Sequence, residues 1–67
     1  VRLLEAIEQL QPLDRQVVIL RGIEQAANQD VAQLLQLEAN TVAVRYRRAL
    51  AKLRQQLPNS VFEDFAD

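Results

Sequence analysis

The chain has no cysteine and no histidine. Together those absences exclude disulfides, thiolate nucleophiles, imidazole bases and the common zinc sites. Serine and threonine occur once each, as Ser60 and Thr41. With no histidine to activate either hydroxyl, a hydrolytic triad is excluded. Glu63 and Asp64 pair two carboxylates, but on a polar tail such a pair is solvated surface, whereas acid–base chemistry needs tuned groups in a pocket. No enzyme activity, cofactor, metal or small-molecule substrate is expected. No apolar run approaches the roughly 18 residues that a bilayer span requires, so no membrane partner is expected, and no signal peptide is visible. The chain begins at Val1 rather than Met, as a segment of a longer protein would. Lack of cysteine fits a reducing, cytoplasmic location.

Turn-formers and aromatics are scarce too. Pro12, Gly22 and Pro58 are the only glycine and prolines, and Tyr46, Phe62 and Phe65 the only aromatics. Any core must therefore be built of Leu, Val, Ile and Ala, which suits helices packed on helices. Sixty-seven residues make one small domain, and a chain of that size buries only about 60% of the surface its unfolded form exposes. No strand-like alternation persists, so the expected fold is all-α. It is a small bundle of four main helices over residues 1–57, followed by an acidic tail over 58–67.

What the chain does have is a strong separation of charge. Residues 41–57 carry five basic side chains and no acidic one, while residues 1–40 hold three arginines against six carboxylates. Residues 58–67 add three carboxylates and no base. The net charge of −1 conceals a polarised molecule, and a basic helical segment behind a short apolar helix and a turn is the footprint of a helix that docks on nucleic acid.

The periodicity predicts a first helix over about 1–10, with Leu3, Leu4, Ile7 and Leu10 on one stripe. Gln11-Pro12 ends it and starts the next, since proline tolerates a first helical turn and disfavours helix before it. The second helix is expected over about 12–24, burying Leu13, Val17, Leu20 and Ile23, flanked by Val18 and Ile19. Asp14 in its first turn complements the helix dipole, as Arg21 does near its end. Residues 25–28 connect it to a short third helix, about 29–36, with Asn28 as N-cap and Val31, Leu34 and Leu35 inward. A break at 36–38 precedes a fourth helix running to about Leu57. Two helices joined so closely, the second longer and basic, form a helix-turn-helix.

On the fourth helix, Val42, Tyr46, Ala49, Leu50, Leu53 and Leu57 fall within an arc of roughly 100°. Asn40, Val44, Arg47 and Ala51 lie opposite. Thr41, Arg45, Arg48 and Lys52 line one flank; Ala43 and Arg54 line the other. A groove-reading helix needs that arrangement: a packed back, a modest front and cationic edges for phosphates. Some roles stay open between two readings. Asn40 either reads a base or caps the helix. Arg45 either meets a phosphate or pairs with a carboxylate of an earlier helix. Tyr46 is either core or a stacking platform. Ser60-Val61-Phe62-Glu63 has the form of a capping box and would allow a short helical turn over 61–66, with Val61, Phe62 and Phe65 on one side. The acidic residues Glu63, Asp64 and Asp67 could there shield the basic face.

From Leu10 onward the chain resembles region 4, the C-terminal promoter-binding domain of bacterial RNA polymerase sigma factors of the extracytoplasmic-function type. LQPLDRQVVILR matches its first part, and Thr41-Val42 with Arg45, Arg48 and Ala49 matches its second. Val31-Ala32 and Leu34-Leu35 fall where the family has Ile-Ala and Ile-Leu pairs. The chain departs from the family at several places. Ala27 occupies the usual cap position before the third helix, and Gln36 stands where the turn often has glycine, so it is expected to tolerate a left-handed conformation. Glu38 replaces a Ser or Thr cap, and Ala43-Val44 replaces a basic-Ser pair.

The resemblance implies a cytoplasmic transcription-initiation protein that reads the −35 promoter element while its earlier helices hold the β-subunit flap of the polymerase core. By position, Asn40, Ala43, Val44 and Arg47 would face bases, and Thr41, Arg45, Arg48 and Lys52 would meet phosphates. Arg47 is the expected guanine reader, because bidentate arginine to guanine is the commonest specific pairing. Leu3, Leu4 and Ile7 would form the polymerase-facing groove. Two other readings compete: the helix-turn-helix output domain of a response regulator, and a helical interaction module bound by an anti-sigma factor.

Overall fold

The computed structural model describes residues 2–57. Expectations about Ser60, the 61–66 turn and the acidic tail lie outside the described residues. Four α-helices follow one another: α1 (Arg2–Glu8), α2 (Pro12–Val18), α3 (Asn28–Leu35) and α4 (Ala39–Gln56). A π-helical turn, Ile19–Ile23, continues α2. The described residues contain no strand, in keeping with the all-α expectation, and α4 packs chiefly against α2 and α3.

Local chemistry explains the helix ends. Helix α1 tightens as it stops, with Leu10 N–H donating to Ile7 O at 3.1 Å, the short i→i−3 bond that commonly closes a last turn. Pro12 then takes the first position of α2, behind Gln11 in an extended conformation, where its missing N–H costs nothing. Helix α3 ends on Gln36, left-handed at φ 59° and ψ 45°. The next N–H, of Leu37, donates back to Ala32 O at 2.9 Å, a Schellman-type closure. Leu57 leaves α4 extended, at φ −129° and ψ 155°, as a residue before proline is driven to do.

The core is aliphatic, as composition demanded. Ile7, Val17, Val18, Val31, Val42 and Leu53 are its largest fully buried side chains, joined by Ala6, Leu10, Ala32, Tyr46, Ala49 and Leu57. The predicted back of α4 is the buried back, with Leu50 partly buried at its edge.

Several expectations need correction. Asn28 is the first residue of α3 rather than its cap. Ala27 holds the cap position, with no side-chain hydrogen bond, while Asn28 Oδ1 is buried without a partner. Asn40 lies inside α4, whose cap is Glu38. Ile23 is 50% exposed and Leu34 67%, though periodicity placed both inward; Leu4, on the apolar stripe of α1, is 54% exposed.

For Ile23 the cause is the π-turn, in which Glu24 N–H donates to Ile19 O at 2.9 Å. One extra residue per turn makes each later side chain lag behind the α-helical phase, which carries Ile23 out of the buried line. For α3, Val31 and Ala32 already fill the contact with the core. An eight-residue helix covers its neighbours with one narrow stripe, which Leu34 does not join.

Candidate nucleic-acid interface

Helix α4 presents three faces. Its back is anchored by Val42, Ala49 and Leu53, each fully buried. Tyr46 is buried as well, and the Arg21 guanidinium lies over its ring, 5.0 Å from the centroid. That enclosure makes Tyr46 a core residue rather than a stacking platform, and the cation–π contact adds to its anchorage. Arg21 also donates through Nη1 to Ala26 O at 2.9 Å. One side chain of the π-turn thereby ties the 24–27 connection to α4.

On the front, Asn40 and Arg47 are exposed, and Ala43 and Val44 are half-buried. On the flank, Arg48 and Lys52 are exposed, and Thr41 and Arg45 half-buried. The whole predicted phosphate set (Thr41, Arg45, Arg48, Lys52) lines one open groove, together with Asn40 and Val44 from the front. Arg47 and Ala43 do not line that groove. Exposed arginines in front of and beside a rigid helix supply charge where a duplex would present phosphates and base edges.

Two carboxylates that sequence reasoning had not assigned to this place also border the groove: Asp14 from α2, and Glu38 at the start of α4. Asp14 is buried, and its Oδ1 accepts a hydrogen bond from Arg45 Nη1 at 3.1 Å. Of the two readings left open for Arg45, the structure realises the pairing with an earlier helix. The pattern of α2 marked Asp14 only as a first-turn carboxylate. Its reach to α4 depends on how the two helices cross, which no spacing within either one reveals.

The trio expected to face the polymerase divides. Ile7 is 2% exposed and belongs to the core, Leu3 packs partly against that core, and Leu4 alone stands clearly outside. Among the described residues no group of three or more metal-binding side chains comes together, and no helix is long and apolar enough to cross a membrane.

Comparison with known proteins adds a separate line. A family model described as Sigma-70, region 4 matches residues 1–53. The chain is similar to an RNA polymerase sigma-E factor of Streptomyces antibioticus, 42% identical over 55 residues. It is also similar to one of Streptomyces coelicolor, 40% identical over 55 residues. Each match takes in 82% of this chain but 31% of the relative's own length. No solved structure matches the chain.

Proposed function

The chain belongs to the sigma-70 region 4 family, and from that premise we propose that it is the promoter-reading domain of a sigma factor, placing α4 in the major groove of the −35 element during transcription initiation. It is a DNA-binding module and not an enzyme. The observation that carries this reading is the division of α4 into a buried apolar back and an opposite side on which the basic Arg47, Arg48 and Lys52 are exposed. In the proposed docking Arg47 reads a base, with Asn40, Ala43 and Val44 beside it, while Arg48, Lys52, Arg45 and Thr41 meet phosphates. Val44 suits a thymine methyl, which offers an apolar contact in the major groove.

Contact with the polymerase core is the second part of the proposal. With Ile7 buried, Leu4 and the edge of Leu3 are what α1 offers to the flap of the β subunit or to a helical inhibitor such as an anti-sigma factor. The family match favours the sigma reading over a response-regulator output domain. A cytoplasmic location goes with that reading.

The test is selection from a randomised duplex pool at low salt, with Arg47→Ala and Arg48→Ala in parallel. Enrichment of a short motif, relaxed by Arg47→Ala and uniformly weakened by Arg48→Ala, is expected. A pool that enriches nothing, with both variants behaving as wild type, would leave the basic face a plain solvated surface and favour the interaction-module reading.

A further inference from the structure

We propose that Asp14 is a positioning residue for the DNA interface, holding the Arg45 guanidinium on the flank of α4 in the orientation that meets a phosphate. The inference rests on α4 docking to DNA as argued above. A carboxylate beside a phosphate-binding groove is at first sight misplaced, because it repels the polyanion the groove would take. Its value has to come through Arg45, and the geometry shows how. The Asp14 side chain is 12% exposed and that of Arg45 41% exposed. The acid is thus enclosed, and the base reaches out past it.

The contact is a single bond from Nη1 to Oδ1, one of the five N–H donors that a guanidinium carries in a planar fork. Asp14 therefore anchors one end of the fork; Nε is buried without a partner, and Nη2 is left for a second acceptor on the groove side, where Arg48 and Lys52 also stand. A flexible arginine loses rotamer freedom when it binds, and one already held in place loses less.

Orientation and plain electrostatics predict opposite signs when the carboxylate is removed. The experiment measures anisotropy of a labelled duplex of random sequence across a salt series, for wild type, Asp14→Asn, Arg45→Ala and the double variant, with melting temperatures recorded. Asp14→Asn makes the interface more positive, yet it is expected to weaken binding by about fivefold to tenfold. That is the order of one ordinary net hydrogen bond. Arg45→Ala is expected to weaken binding and to lower the salt slope by about 0.9. The double variant should be no weaker than Arg45→Ala alone, because two members of one unit are not additive.

Binding by Asp14→Asn at or above wild-type strength overturns the inference, as do losses that simply add. If Asp14→Asn proves unfolded, Arg45→Lys takes its place: the charge stays and the fork is lost, so binding should fall at an unchanged slope, and wild-type affinity would count against positioning. A wild-type domain that binds no duplex at any salt would instead defeat the DNA reading itself.

Discussion

Among the described residues, two glutamines carry the backbone strain. Gln25 and Gln36 sit at φ 60° and 59°, a left-handed region in which a side chain costs about 1–2 kcal/mol. The lone Gly22 is not at a positive φ, so the one residue built for that conformation is spent elsewhere. Gln36→Gly should relieve part of the strain, stabilising the domain by roughly 0.5–1 kcal/mol. Thermal unfolding would then show a melting temperature several degrees higher, since about 1 kcal/mol is worth about 4–8 °C in a domain of this size. An unchanged or lower midpoint would mean that the Gln36 side chain contributes contacts that outweigh the strain. Ala27 is the complementary case. Its backbone has cap geometry, φ −70° and ψ 155°, but its side chain has nothing to cap with. Ala27→Asp is expected to add about 1 kcal/mol, read in denaturant as a higher midpoint at constant slope.

The elements divide by how much of their environment their own periodicity specifies. Helix α4 runs for 18 residues, long enough that its apolar arc could be drawn from spacing alone, and every residue of that arc is buried or partly buried. Leu53, fully buried at its centre, is the test of that anchorage: Leu53→Ala should cost about 2–5 kcal/mol, a large share of what so small a domain has. A loss well below 1 kcal/mol in equilibrium unfolding would contradict the packing described. The shorter elements were less legible. In α3 only Val31 and Ala32 are buried, and Leu34→Gln is expected to leave stability within about 0.5 kcal/mol, as surface substitutions do. Along α2, a 3.6-residue repeat assumes a regular helix, and the π-turn breaks that assumption from Ile19 onward. Nothing in ILRGI announces it, because the wider turn is closed by bonds to the following loop, including Ala26 N–H to Leu20 O at 2.8 Å.

At the scale of the whole molecule, the polarised charge becomes a basic ridge on an otherwise acidic domain. Duplex binding should accordingly fall with salt at a log–log slope near −3 to −4 if roughly four phosphates are neutralised, and Arg48→Ala should lower that slope by about one. A flat salt profile would speak against phosphate contact by α4. The sequence by itself determined that the protein is helical, that its core is aliphatic, that α4 turns a packed back away from a modest front with cationic edges, and that Gln36 would have to tolerate a left-handed conformation. The first three follow from composition and a period of 3.6, and the last from the resemblance, since the family often has glycine at that turn. Only the tertiary structure decided that Asp14 meets Arg45, that Leu4, Ile23 and Leu34 face outward, and that Tyr46 lies beneath Arg21. Those outcomes depend on helix crossing and on one irregular turn. They are set by which surfaces compete for a core too small to bury every apolar side chain, and no single helix carries that information.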